Sequence, residues 1–540
     1  MMSEDTGEST ESQEQFFWGA KVRVVHFTFD QEASRKELAR AIIMHEYPLS
    51  IVDDVGFRKY SASLQPLFEV GSRKTLEGDI LKIYDFEKAK LRNVIEGLNT
   101  RFAITTEMWT SKEKKGYMSV IAHYIDDSWV LQSRMLRFIY VPIPRTMDVI
   151  AQNLMDALMG WNIETKLSTI TVENCTSGDG MLSIIVDKLS SSLLLDGKIV
   201  HVRCFAHVVD LVVKDGLSLV ENAIERMRDS VAFWSATPSR VDNFEAVARQ
   251  AKISSLNKLG LDCKTCWKST YLMLKTAIWY KDLFPKLLLR DEHYTCVPTD
   301  DDWKMGKNIA EKLAYDDVVI SSMAIKMFEK FGKYWNVIHV GLAVAAVLDP
   351  RYKLKAVEFY FHRIYGDNAL LEIEKVKRTC YELLHEYQRK SHVSPTSSQA
   401  SSLQVSNGPT FDSEDIPSDL IAFLSESSTN VDVGCELDHY LDEPILPWTR
   451  DFDILSWWKT MGIRFTTLQK IAKDFLAIPV STVSSDSTFG TSGRRVVSLH
   501  RSRLHPNTLE ALMCSHDWLW KSSEVEDSNC LCIADEDEEG

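Results

Sequence analysis

Apolar residues recur every three or four positions along most of this chain, and a strand-like pattern replaces that period in one stretch after residue 100. Over residues 32–47, Leu38, Ala41, Ile42 and His45 share a helical face, and Pro48 stops the run. Phe57, Tyr60 and Leu64 repeat the period before Pro66. Leu76, Ile80, Ile83, Leu91, Val94 and Leu98 then mark a longer amphipathic stretch, so residues 30–98 form a helical N-terminal region.

Residues 101–205 change character. Segments 102–106, 117–124 and 129–141 are rich in β-branched and aromatic residues, with turn residues at 112–116 and 126–128 between them, which predicts an antiparallel meander. A helical pattern follows at 146–160. Short buried strands at 167–172 and 198–205 flank another helix. A meander followed by alternating helices and strands implies an α/β fold, a mixed sheet with helices on its faces. From 208 to 390 the pattern is helical almost throughout. Residues 391–418, rich in Ser, Pro and Asn, predict a flexible linker. Order resumes at 437, and a helix over 465–477 places Phe465, Leu468, Ile471 and Phe475 in register before Pro479. No repeat of fixed period is present.

Composition adds a charge problem. The 540 residues are 45% hydrophobic, enough for a large core, but the net charge is −15. Such a chain is a poor generic ligand for nucleic acid, so DNA contact must come from local basic patches. Part of the acid is terminal: residues 1–20 hold five acids and no base, and the tail after Lys521 carries acids alone. Like-charge runs of this kind predict a disordered N-terminus over 1–29 and a solvated tail over 521–540. The N-terminus lacks the basic start and apolar core of a signal peptide, and the longest apolar run, near 337–348, is too short for a bilayer, so no membrane partner is expected. Ten scattered cysteines in a chain of this kind predict reduced thiols.

Three short motifs carry the candidate chemistry: Thr105-Thr106-Glu107-Met108-Trp109-Thr110-Ser111, Thr171-Val172-Glu173-Asn174, and Ser484-Ser485-Asp486-Ser487-Thr488-Phe489. Three further elements accompany them. One runs from His201 through Cys204 to His207, another is Leu348-Asp349-Pro350-Arg351-Tyr352-Lys353, and the third runs from Phe452 through Trp457 and Trp458 to Val480. Together they resemble the plant hAT-family transposases from about residue 30 onwards, and especially the domesticated Daysleeper/Ricesleeper zinc-finger BED group.

The resemblance implies a ribonuclease-H-like sheet (99–207, completed by 437–520) interrupted by a large all-α insertion (208–390). It places Glu107, Glu173 and Asp486 at the positions of a catalytic acidic triad. The first two would sit just past adjacent strands and the third on a C-terminal helix. Acidic oxygens suit Mg²⁺ or Mn²⁺, and two such ions would activate the attacking hydroxyl and the leaving oxygen of a phosphodiester. Cys204 and His207 match the family's Cys-x-x-His element. Trp457, Trp458, Phe465, Leu468 and Phe475 fall in its dimerisation region, where a helical apolar stripe also serves as core.

The departures bear on function. The family usually has Asp where this chain has Glu107 and Glu173, and Glu where it has Asp486. One methylene moves a carboxylate by about 1.5 Å, roughly one C–C bond, whereas Mg²⁺ demands near-ideal geometry at about 2.0–2.1 Å and catalytic positioning tolerates about 0.5 Å. Three exchanges should abolish or cripple cleavage, so Mg²⁺ or Mn²⁺ is a cofactor only if the acidic site works. Two longer arms and one shorter arm that reposition the metals together are the counter-reading. In the segment 262–271, Trp267 matches an aromatic that can stack on an extruded base in active relatives, beside a core role. The expected Arg next to it is Cys266. The cysteines and histidines of a BED finger do not precede Asp30, so finger-mediated DNA recognition is not expected of this sequence as it stands.

The remaining candidates are weaker. Arg494, Arg495, His500, Arg501, Arg503 and His505 lie in a stretch without acids; they can neutralise phosphates or form a solvated loop. Lys112, Lys114 and Lys115 suit a polar turn. Cys204-x-x-His207 with Cys263-x-x-Cys266 imitates a zinc site, but the family resemblance accounts for the first pair without metal. Gly178-x-Gly180 lacks the third glycine of a dinucleotide loop, Ser183 standing in its place. The expected function is that of a domesticated, catalytically inactive hAT transposase-like protein of the nucleus. It would form homodimers or heterodimers with related chains and associate with DNA, in transcriptional or developmental regulation. The alternatives are a transposase with altered metal ligands and a dimerisation module that titrates finger-bearing relatives.

Overall fold

Five of the segments with strand character join in one mixed sheet. The computed structural model describes residues 13–17, 20–24, 29–110, 114–173, 176–218, 221–251, 253, 258–262, 267–311, 318–392, 435–482 and 503–534. Two short strands, β1 (Gln13–Phe17) and β2 (Ala20–Val24), pair antiparallel within the acidic N-terminal segment expected to lack structure. The main sheet contains β3 (Phe102–Thr110), β4 (Gly116–Ile125), β5 (Leu131–Val141), β6 (Leu167–Val172) and β7 (His201–Arg203), in the order β5-β4-β3-β6-β7. β3, β4 and β5 form the antiparallel meander, while β6 and β7 add in parallel beside β3. This is the mixed topology that the ribonuclease-H-like reading requires.

β7 is shorter than its apolar run. Leu195 and Asp196 adopt left-handed φ values of 49° and 54°, followed by Gly197 at 83°, so the chain turns tightly before His201. Phe205 already begins a helix, Phe205–Leu217.

Strand alternation gives the sheet two distinct faces. Ile104, Ile170 and Val172 join a core with Ile150, Leu154 and Leu158 of helix Met147–Gly160 and with Met181 and Ile185 of helix Thr176–Leu189. The opposite parity, carrying Thr105 and Thr171, meets the C-terminal segment, where the Thr171 hydroxyl donates to the carbonyl of Pro479 at 3.1 Å. Helix Thr466–Phe475 ends there and holds Asp474. That buried carboxylate accepts from the Thr100 hydroxyl at 3.0 Å, the Arg101 amide at 2.9 Å and the Tyr387 hydroxyl at 2.5 Å.

The edge of β5 is covered rather than left open. Along helix Pro506–Ala534, Asp517 accepts from the Met135 amide at 2.8 Å, Trp518 donates to the Met135 carbonyl at 2.8 Å, and Lys521 donates to the Ser133 carbonyl. These bonds occupy backbone groups that would otherwise offer a template to another strand. The helix also runs through the start of the tail expected to be solvated, continuing to Ala534.

The helical region 208–390 is divided between separate cores. Trp234, Phe244, Phe284, Tyr294 and Trp303 gather its first part. Helices Lys353–Tyr365 and Ala369–His392 instead share a core with Trp458, Phe465, Leu468 and Phe475. The expected linker 391–418 lies, beyond His392, outside the described residues. Among the described residues no helix is long and apolar enough to cross a membrane.

Candidate functional site

In the parallel pair β3–β6, Thr106 lies opposite Val172, so the next residues, Glu107 and Glu173, emerge side by side. Both have the parity of Thr105 and Thr171, which directs them to the face carrying the C-terminal segment. Glu173 follows its strand as expected. Glu107 does not: β3 continues to Thr110, and Glu107 remains in the ladder opposite Ser119 because β4 extends to Gly116. Both glutamates are half-buried.

Burial pushes the Glu173 carboxyl above its ordinary range, and His207, in the first turn of helix Phe205–Leu217, draws it partly back down. Among the described residues no group of three or more His, Cys, Asp or Glu is placed to hold a metal ion. Asp486, the third acid expected with these two glutamates, lies outside the described residues.

The Cys-x-x-His element contributes a different chemistry. The Cys204 amide donates to the Val172 carbonyl at 2.8 Å, and the Phe205 amide donates to the Val480 carbonyl at 2.8 Å. The fully buried Cys204 sulfur accepts from the Thr482 amide at 3.4 Å and from its hydroxyl at 3.3 Å, with the Ser481 hydroxyl 3.5 Å away. Cys204 thus fastens residues 479–482 across the ends of β6 and β7, beside Glu173. Its sulfur serves protein donors. Stoichiometric zinc is not expected in the pure protein by elemental analysis, and Cys204→Ala should speed hydrogen exchange at the Thr482 amide at least tenfold. Bound zinc or unchanged exchange would contradict this role.

Comparison with known proteins places this geometry. Residues 105–199 match the ZBED1 RNase-like domain, 202–312 the ZBED1 RNase-like helical domain, and 436–519 the hAT family C-terminal dimerisation region. Residues 300–387 match the hAT-like transposase RNase-H fold, although the described elements there are helices and the sheet itself lies at 102–203. The chain is 35% identical to the zinc finger BED domain-containing protein RICESLEEPER 2 of Oryza sativa, over 91% of this chain and 75% of that protein. The chain belongs to the hAT family of transposase-like proteins. It is also 34% identical to a putative AC transposase of Zea mays, over 91% of this chain and 66% of that protein. With DAYSLEEPER of Arabidopsis thaliana it shares 31%, over 92% and 75%.

Within this hAT chain the stripe expected to serve both core and dimerisation lies mostly in the interior of the protomer. Trp458, Phe465, Leu468 and Phe475 are interior, and Trp458 donates its indole N–H to the Leu348 carbonyl at 2.9 Å. Trp457 is half-buried, edge-on to Trp458 with ring centroids 4.9 Å apart. The stripe fills the protomer's own core because helices Lys353–Tyr365 and Ala369–His392 already cover it.

The proposed DNA contacts are only partly placed. Arg494, Arg495 and Arg501 lie outside the described residues, as do Cys263 and Cys266; Arg503 is exposed just before helix Pro506–Ala534. Trp267 opens helix Trp267–Trp279. The sequence reading missed the clamp around that segment. Arg228 reaches both oxygens of Asp262 at 2.7 Å, and the Thr270 hydroxyl donates to Asp262 at 2.6 Å. The Asp262 carboxylate, gripped by a guanidinium from another helix, therefore ties one flank of the segment holding Cys266 to the other. The only local signal was an acid five residues before a tryptophan, which identifies no partner.

Proposed function

We propose that this protein is a domesticated, catalytically inactive hAT transposase-like factor that dimerises and associates with DNA in the nucleus, in transcriptional or developmental regulation. The observation that carries the reading is the pair Glu107 and Glu173. The resemblance puts Asp, one methylene shorter, at both positions, so each carboxylate here sits on a longer arm. The longer arms weaken a cluster whose chemistry requires oxygens around Mg²⁺ or Mn²⁺ at fixed distance. The ribonuclease-H-like scaffold and dimerisation region can persist without that chemistry, since their cores do not depend on it. The match to the dimerisation region supports pairing with itself or with related chains.

The test is to incubate the full chain with duplex DNA in Mg²⁺ and in Mn²⁺. Salt-sensitive retardation without strand cleavage is the expected result. Metal-dependent nicking that disappears in Glu173→Ala would overturn inactivity. Association with finger-bearing relatives without any DNA retardation would favour the titrating role instead.

A further inference from the structure

β7 is the last strand of the main sheet, and a cavity of about 430 Å³ lies where its approach meets helices Val318–Val347 and Ala369–His392. The left-handed turn at 195–197 is tied to the second helix, because the Leu195 amide donates to the Glu386 carboxylate at 2.9 Å. That bond brings Lys198 to the helical face that carries Lys375, Arg378 and Glu382 at spacings of three and four residues. Three lysine or arginine side chains and one carboxylate thus line a single cavity, in a chain whose net charge is −15. Lys375 is partly neutralised by Glu372 at 2.7 Å. No ion pair joins Lys198 or Arg378 to an acid among the described residues, and both are exposed. The first helix leaves room opposite them: a β-carbon built at Gly341 would meet nothing within 4 Å. Ile199 adds a buried apolar wall.

We propose that this cavity binds a nucleoside monophosphate. A phosphate monoester carries about −1.5 to −2 charges at neutral pH, which matches the two cations left over by the ion pairs. Arg378 suits it in particular, since a guanidinium can donate two parallel N–H bonds to phosphate oxygens. Glu382 has the opposite requirement. It repels phosphate but accepts from sugar hydroxyls or a base amino group, so it favours a ligand with an organic, hydrogen-bond-donating body. Ile199 offers that body apolar surface. The volume falls in the range of about 300–1,000 Å³ usual for small-molecule sites. The assignment is independent of the DNA-associated role proposed above.

The experiment is calorimetric titration of the full chain with AMP, adenosine and inorganic phosphate, without added metal. The proteins are the wild type, Lys198→Ala with Arg378→Ala, Gly341→Leu, and Lys59→Ala as a control at an exposed lysine of helix Val55–Leu64. The wild type and the control should bind AMP with the same Kd, and adenosine and phosphate at least about tenfold more weakly. The double variant should raise the AMP Kd at least about tenfold, because it removes charge-assisted hydrogen bonds. Gly341→Leu should do the same by filling the cavity. Its thermal midpoint should not fall, because the added side chain enters open space and leucine favours a helix over glycine. No AMP binding at millimolar concentration, or one AMP Kd for every protein, would overturn the site. Adenosine binding as tightly as AMP would overturn the phosphate contact, and inorganic phosphate binding as tightly would overturn the nucleoside. Duplex retardation lost in the double variant, with no AMP binding to the wild type, would give these cations to the DNA backbone instead.

Discussion

Trp458→Ala should lower unfolding stability by about 3–5 kcal/mol, the range for removing a large aromatic from a packed core. Trp458 is fully buried, and its ring lies 5.5 Å from that of Tyr440, which closes on Phe465 at 5.7 Å. The substitution would open a cavity among these rings and leave the Leu348 carbonyl without the indole donor. The core it fills joins helices from 353–392 to those from 436–475, so the loss should appear as a lower denaturant midpoint rather than as local fraying. A protomer as stable as the wild type but unable to dimerise would reverse the assignment and return Trp458 to the interface.

Asp474→Ala should cost roughly 3 kcal/mol or more, at about 1–3 kcal/mol for each buried donor left without its acceptor. The Thr100 hydroxyl, the Arg101 amide and the Tyr387 hydroxyl all lose their partner. Asp474→Asn should be tolerated, because its carbonyl oxygen can still accept from Thr100 and Arg101 while its amide donates to the Tyr387 oxygen. The pair also gives a pH test. Burial raises the Asp474 carboxyl above its ordinary value, despite the hydrogen bonds that lower it. A raised folded value means that the folded state holds the proton more tightly. The stabilisation is therefore complete below the unfolded carboxylate value and is lost as pH climbs through the raised folded value. Chemical denaturation of the wild type and Asp474→Asn across that window should show the wild type losing ground as pH rises. A difference independent of pH would contradict the raised carboxyl.

Much of the sheet was legible because alternation and turn residues are local signals. The strands expected over 102–106, 117–124 and 129–141 became Phe102–Thr110, Gly116–Ile125 and Leu131–Val141, and 167–172 kept its bounds. The error at the first strand had consequences. Glu107 was expected past the strand end, but pairing with Ser119 keeps it inside the ladder, and pairing is a property of two segments at once. The stripe at 465–475 shows the complementary limit. Its helical period was plain, yet periodicity says only that one face is covered. Whether another protomer or residues 353–392 cover it depends on segments distant along the chain.

The sequence by itself determined the order of helices and strands, the family resemblance, and which acids stand where that resemblance expects a triad. Local propensity, apolar period and residue identity are properties of neighbours in the chain. Only the tertiary structure decided that Glu107 stays within the ladder opposite Ser119, that Cys204 binds the 479–482 segment, and that four of the five expected anchors are interior. Those outcomes depend on strand register and on contacts between residues up to hundreds of positions apart. No local pattern encodes which surface will be buried by the rest of the same chain and which will remain for a partner.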